Sequence, residues 1–380
     1  MPADERVVVV GAGPCGLAIA RRLRHDHGVD ALVVDRADAP ASTWRSLYDG
    51  FRLNTCGFWS HLPGQRIPAR YGRWPGRDEM VDYFDEYVRR HDIRVRLRCT
   101  VARVDREGGG WVLSTDDGPI RCAAVVIATG NYHTPSYPAW PGIDTFSGEL
   151  LHSAHYRNAS PFAGKDVLVV GAGNSATDIA LQLSDNVAAH VRMAVRTPPH
   201  LVPRSAMGIP VDAFSPVFGM LPVPVLDGAA AVMRRLRFGD LSDAGLPVPS
   251  RGIYTALLDD DQIPTLGDEL VPRVRSGRIG IVAAVSAFDE DRVVLADGSA
   301  ITPDTVIAAT GYEHGLKPLA GHLDVLDAQG KPTANGLPAA APGLWFAGFD
   351  EPLIGPLRSF RLTSGPIAGD IAAWLTSAAA

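Results

Sequence analysis

The sequence predicts an α/β fold of two doubly wound parallel-sheet units, the second inserted into the first, and three observations predict it. Two glycine-rich loops each follow a short unbroken apolar run: GAGPCG, Gly11 to Gly16, comes after Val7 to Val10, and GAGNSA, Gly171 to Ala176, after Val167 to Val170. Each loop is followed later by an apolar strand ending in Ala-Thr-Gly, Val125 to Gly130 in the first copy and Val306 to Gly311 in the second. A last strand and helix come after the second Ala-Thr-Gly. The repeat therefore reads as two copies of one architecture, the first copy being completed by the C-terminus.

Val7 to Val10 has the continuous apolar character of a strand covered on both faces. A helix is expected from Pro14, with Leu17, Ala18, Ala20 and Leu23 inward, ending near Gly28, and a strand at Ala31 to Val34 follows it. Thr43 to Arg77 has no sustained period and reads as an irregular wall whose Trp44, Phe51, Phe58, Trp59, Tyr71 and Trp74 favour burial. Asp78 opens a helix carrying Val81, Phe84, Tyr87 and Val88, and Ile93 to Val126 alternates as a β-meander. In the second copy the spacing predicts a helix over Ser175 to Leu183 and a strand over Val191 to Val195. Thr197 to Gln262 is Pro-rich and apolar in patches and yields no assignment. A hairpin around Arg292 to Asp297, a strand at Leu344 to Ala347 and a helix from about Gly365 close the chain. The expected division is 1–157, then 158–304 with a lid-like insertion at about 205–262, then 305–380.

Charge excludes some functions. A formal net charge of −6 gives no footprint for nucleic acid or an acidic membrane surface. The apolar window Val211 to Met233 is broken by Asp212, Asp227 and three prolines, so no integral membrane segment is expected. Met1 to Arg6 runs straight into the first strand, so no cleavable signal is expected either. Cys15, Cys56, Cys99 and Cys122 form no CxxC pair and no metal-ligand spacing, which suggests a reducing, cytoplasmic home and no metal.

Both loops fit the Rossmann-like dinucleotide pattern. Gly11 permits the tight turn, Gly13 lets the backbone approach a pyrophosphate, and Gly16 allows helix and strand to pack closely. Pro14 and Cys15 open a helix whose N-terminus faces the phosphates. Asp35, with Arg36 beside it, stands where a carboxylate can accept from ribose hydroxyls. In the second loop, Gly171, Gly173, Asn174 and Ser175 are the candidate contacts. The following strand ends on Arg196 instead of an acid, which suits the 2′-phosphate of NADPH. Two dinucleotides without a dithiol suggest FAD first and NADPH second, with electrons leaving to oxygen or to another acceptor.

Between the two loops lies FSGELLHSAHYR, in which Phe146, Gly148, His152 and Tyr156 fit FxGxxxHxxxY. This resembles the identifying sequence of the class B flavin monooxygenases. Trp44-Arg45 is similar to that family's flavin-contacting pair, Asn54-Thr55 to its active-site Asn-Thr, and Ala309 to Tyr312 to its second Ala-Thr-Gly strand. Val195 to Arg204 is similar to the plant YUCCA-type enzymes. The resemblance implies FAD contacts from Trp44, Arg45, Thr129, Gly130 and Asp350, positioning of the two domains and NADP by His152 and Tyr156, and further cofactor contacts from Thr310 and Gly311. It makes Asn54 the catalytic residue, shielding a flavin C4a-(hydro)peroxide. It also implies a small organic substrate and O2 as partners. The oligomeric state stays open, a homodimer being compatible. Phe349 departs from the pattern, standing where many two-dinucleotide flavoproteins have glycine. Tyr156, in place of a tryptophan, favours oxygenation at nitrogen or sulfur. Oxidative decarboxylation of a 2-oxo acid and Baeyer-Villiger oxidation are the alternatives within the family. A reductase, an uncoupled oxidase and a nucleotide-holding sensor are the alternatives outside it.

Overall fold

Val7 to Val10 forms the inner part of the strand Glu5–Val10, and the rest of the first unit is arranged around it. The computed structural model describes residues 4–214, 221–352 and 354–377. Glu5–Val10 pairs in parallel with Ala31–Val34 on one side and with Ile120–Ile127 on the other, which leaves Val7, Val8 and Val9 with no exposed surface. The antiparallel meander Val101–Glu107, Gly110–Thr115, Ile120–Ile127 extends the sheet. Leu344–Phe346 joins it in parallel through Val125 to Ile127. The C-terminal strand thus completes the first unit, which consists of the chain up to Ser46, Cys56–Thr134 and the chain from Tyr312 onward.

Helix Pro14–His27 ends at Gly28, whose φ of 66° is the left-handed conformation that lets its N–H reach back to the Arg24 carbonyl. Leu17, Ala18, Ala20 and Leu23 are all buried. Helix Arg77–Arg90 presents Met80, Tyr83, Phe84 and Tyr87 to the core, a face rotated from the expected one. The two tyrosines can be buried because their hydroxyls donate to the carbonyls of Gln65 and Pro63, each at 2.7 Å.

Two expectations in this unit need correction. The aromatics of the irregular wall are not fully buried, and Phe58 is 59% exposed. Arginines cover them instead: Arg66 lies over Phe58, Arg70 over Tyr71, Arg73 over Trp74 and Arg358 over Trp59, at 4.9–5.5 Å. The final helix runs over Pro356–Ser377, nine residues earlier than expected, and passes through Pro366. Gly365-Pro366 reads locally as a helix start. Burial of Leu357, Ile367, Ala368, Ile371 and Leu375 outweighs the backbone bond that Pro366 cannot donate.

The second unit comprises Leu47–Thr55 and Pro135–Gly311. Its parallel sheet runs Gly280–Val282, His190–Ala194, Asp166–Val170, Thr305–Ala308, Glu149–His152. Because Glu149–His152 and Thr305–Ala308 pair with each other, the unit starts before residue 158 and ends after 304. The hairpin is a three-stranded meander, Val285–Asp289, Arg292–Leu295 and Ala300–Ile301. The unassigned stretch contains helices Val223–Phe238 and Ile253–Asp260, and the Asp227 carboxylate accepts from Tyr254 N at 2.7 Å and Thr255 Oγ1 at 2.6 Å to cap the second of them. Part of the expected lid, residues 215–220, lies outside the described residues.

Candidate functional site: two nucleotide loops and an asparagine segment

The first loop shows why its glycines stand where they do. A Cβ on Gly11, whose φ is 113°, would lie 2.4 Å from the Ala128 carbonyl oxygen, and one on Gly16 would lie 2.1 Å from that of Gly11. A Cβ on Gly13 would meet nothing within 4 Å. Two of the glycines close the turn, and the third leaves a cradle open. The first intrahelical bond runs from Leu17 N to Gly13 O, so the amides of Cys15 and Gly16 are turned out of the helix, as an anion site requires. Asp35 accepts from Ala12 N at 2.7 Å and Ala37 N at 2.9 Å, which fixes its carboxylate beside the loop. Thr129 Oγ1 is buried without a partner next to Gly130, whose φ is 76°. An open cradle, outward amides and an orphaned hydroxyl fit a dinucleotide such as FAD.

Other candidates in this unit are engaged with the protein. Arg36 contacts the His133 ring at 2.9 Å. Arg45 donates to the Pro40 carbonyl at 3.0 Å and pairs with Asp85, so it braces the short helix Ser42–Arg45. The Trp44 ring stands edge-on to Phe84. Asp350 is exposed and accepts from Asn335 Nδ2 at 3.1 Å, while Phe349 is buried against Phe346, filling core volume that glycine would leave empty. Burial, followed by Asp350, pushes the Cys15 thiol well above the usual range, so it is no thiolate.

The second loop repeats the pattern. A Cβ on Gly171, whose φ is 135°, would lie 2.6 Å from Ala309 O, and one on Gly173 meets nothing within 4 Å. Helix Asn174–Ser184 follows, with Ser175 exposed in its first turn. Asn174 is engaged with the protein: its amide donates to Pro264 O at 2.9 Å and accepts from Leu266 N at 3.1 Å. Thr265, which no local sequence pattern singles out, donates to Ala172 O at 2.9 Å and ties the short strand Thr265–Leu266 to the loop. Arg196 is exposed two residues beyond Ala194, whose carbonyl accepts from Gly171 N at 3.0 Å. Among the described residues it meets no carboxylate.

The central run is built entirely into the second unit. Phe146 packs on Phe288, and a Cβ on Gly148 would lie 2.5 Å from the Phe146 ring. His152 has no exposed surface; its Nε2 lies 3.0 Å from Gly311 O and its Nδ1 accepts from Ala154 N at 3.1 Å. This bonding fits the neutral ring with the proton on Nε2, and burial lowers the pKa of His152 in the same sense. Thr310 is likewise engaged, donating to Ser136 O. Tyr156, 1% exposed, donates to Gln182 Oε1 at 3.0 Å and stacks on Phe162. His152 thus ties the central run to Gly311, and Tyr156 ties it to helix Asn174–Ser184. Asn54 differs, its Oδ1 being buried without a partner.

Residues 8–208 match the pyridine nucleotide-disulphide oxidoreductase family. The chain is 34% identical over 354 residues to a probable indole-3-pyruvate monooxygenase, YUCCA9, of Arabidopsis thaliana, covering 90% of the chain and 83% of the relative. It is also 34% identical to indole-3-pyruvate monooxygenase YUCCA1 of Oryza sativa subsp. japonica, over 83% of the chain and 80% of the relative. The chain belongs to the class B flavin-dependent monooxygenases. A flavin-containing monooxygenase from Stenotrophomonas maltophilia superposes with a TM-score of 0.71 at 26% identity, over 96% of this chain and 98% of that one. An open cyclohexanone monooxygenase, 20% identical over 97% and 87%, shares the fold with a TM-score of 0.73. Enzymes of this class use FAD and NADPH. As a flavin monooxygenase the chain has no need of the dithiol that the broader family name implies, and its four cysteines are free and buried. No helix among the described residues is long and apolar enough to cross a membrane.

Proposed function

We propose that the protein is an NADPH-dependent flavin monooxygenase acting on a small organic substrate. One observation carries the reading: two loops of the same build are followed by opposite charges, Asp35 after the first and the exposed Arg196 after the second. The Gly13 cradle and the amides of Cys15 and Gly16 hold the pyrophosphate of FAD, and Asp35 orients toward its ribose. Gly173 and the first turn of helix Asn174–Ser184 hold the second pyrophosphate, and Arg196 pairs with the 2′-phosphate. FAD, when bound, supplies the oxygen-activating chemistry. Asn54 contributes a neutral amide whose buried Oδ1 is an unsatisfied acceptor, able to take a hydrogen bond without adding charge.

For the substrate, a 2-oxo acid is favoured over an amine or sulfide. Within the first unit, the chain from Cys56 to Gly76 has no acidic residue but three arginines, Arg66, Arg70 and Arg73, in a protein whose net charge is −6. In the same unit Arg361 touches the His61 ring and, among the described residues, meets no carboxylate; burial, then Arg358, lowers its pKa. Such a surface suits an anionic aromatic substrate, as do the indole-3-pyruvate monooxygenases among the relatives. The balanced reaction is R–CO–COO⁻ + O2 + NADPH + H⁺ giving R–COO⁻ + CO2 + H2O + NADP⁺. The test offers an aryl-2-oxo acid, a sulfide and a cyclic ketone in parallel and matches NADPH consumed to product. Coupled decarboxylation supports the reading, coupled sulfoxide restores heteroatom oxygenation, and ester from the ketone alone refutes both. Peroxide without product identifies an oxidase.

A further inference from the structure

The segment Leu47–Thr55, which carries Asn54, lies in sequence within the first unit yet packs as part of the second. Its attachment is specific. The Tyr48 hydroxyl, on a side chain 5% exposed, donates to Asp178 Oδ2 at 2.5 Å, and the Tyr48 ring meets Tyr156 and Phe51. Gln182 Nε2 donates to Asp49 O at 2.9 Å while Gln182 Oε1 accepts from Tyr156, so one amide joins the central run to the segment. Asp49 N donates to Arg157 O at 2.7 Å, and Asn158 Nδ2 donates to the Asp49 carboxylate at 2.9 Å. Asp178 and Gln182 are four residues apart, on one face of helix Asn174–Ser184. That helix begins at the second glycine loop.

We infer that Asp178 and Gln182, braced by Tyr156, are positioning residues that fix the Asn54 segment to the helix whose N-terminus receives the nicotinamide nucleotide. Nucleotide binding and placement of Asn54 are then set by one rigid element. The inference rests on the nucleotide-site reading above but not on any particular substrate. It also gives Tyr156 a role that needs no contact with a cofactor: its hydroxyl orients the Gln182 amide, which has one donor for Asp49 and one acceptor for Tyr156.

The test is hydrogen exchange of residues 47–55 in the FAD-loaded protein, with and without NADP⁺. In the wild type NADP⁺ slows exchange of this segment severalfold; in Gln182→Leu and Tyr156→Phe that protection is lost while FAD content and NADP⁺ affinity stay within about twofold. Asp178→Asn, which keeps an oxygen to accept from Tyr48, retains the protection, whereas Asp178→Ala does not. A second readout is NADPH oxidised and peroxide released without substrate, where misplacing Asn54 changes the rate by on the order of tenfold to a hundredfold. Gln182→Leu adds nothing further in an Asn54→Ala background. Absence of NADP⁺ protection in the wild type, unchanged protection in Gln182→Leu, or additive effects with Asn54→Ala would each overturn the inference. Failure of all three candidate substrates would overturn only the substrate reading.

Discussion

Gly13→Val separates the two jobs that glycines do in the first loop. Gly13 has φ −76° and ψ 173°, extended backbone that any residue adopts, and its added Cβ meets no heavy atom within 4 Å. The apoprotein is therefore expected to keep its stability to within about 0.5 kcal/mol. The new side chain occupies the cradle instead, so the protein is expected to purify without FAD. The stabilisation a bound cofactor brings, about 2.7 kcal/mol at a hundredfold excess over its Kd, is lost with it. Gly16→Ala is the contrasting variant. Its Cβ would stand 2.1 Å from Gly11 O and 3.1 Å from Val9 Cγ1, both fixed by the sheet. Relieving that overlap means moving helix Pro14–His27 off the strand, at a cost of about 1–3 kcal/mol. The assays are the flavin-to-protein absorbance ratio and thermal melts of both variants with and without added FAD. Fully loaded Gly13→Val would refute the assignment of the cradle, and apo Gly13→Val melting as low as Gly16→Ala would refute the division of roles.

Arg196→Ala is expected to weaken NADPH binding by about 1.5–3 kcal/mol and to leave NADH nearly unchanged, as titrated by fluorescence; equal losses would place Arg196 away from the 2′-phosphate. His91 is 6% exposed, its Nε2 has no partner, and burial followed by Arg21 depresses its pKa to about 4. The folded state thus binds this proton less readily than the unfolded one. The stability His91 contributes is present above about pH 6.5 and is lost as pH falls toward 4, by no more than about 3 kcal/mol. His91→Asn flattens that stretch of the melting-temperature profile, and an unchanged profile would locate the acid sensitivity elsewhere. Asp227→Ala removes the cap of helix Ile253–Asp260 and costs about 0.5–2 kcal/mol by denaturant melt. No change would mean that the Tyr254 amide finds another acceptor.

Short-range signals made the fold legible. A glycine after a buried strand, a helix with Leu17 and Leu23 one face apart, and Ala-Thr-Gly at a strand end are each set within about thirty residues. Partners fixed by the chain's return were not legible. Thr265 reaches the second loop from 93 positions away and Tyr48 reaches Asp178 from 130, and neither leaves a local trace. For the same reason Leu47–Thr55 read as wall and not as part of the second unit: it has no periodicity, and its place is decided by Asp178 and Gln182. The final helix was misplaced because Gly365-Pro366 is a strong local breaker overridden by burial. Asn174 was legible from the loop pattern and His152 and Arg45 as family positions, while their hydrogen bonds to the protein could be seen only in the structure.

The third residue of each loop shows how the two copies came to differ without losing the pattern. At Gly16 a methyl group is barred by the Gly11 carbonyl at 2.1 Å. At the matching position Ala176, 1% exposed, carries its methyl, and that methyl lies 3.5 Å from where a Cβ on Gly171 would stand. The second loop therefore has room beneath its helix that the first lacks. The two loops remain equivalent at their second glycines, since Gly13 and Gly173 both face open space. Divergence is tolerated in the packing between helix and strand and at the strand tip, Asp35 in one copy and Arg196 in the other. On the proposed reading the tips choose the nucleotide and the shared cradles bind it, so exchanging charge at a tip should change cofactor preference more than affinity for the pyrophosphate.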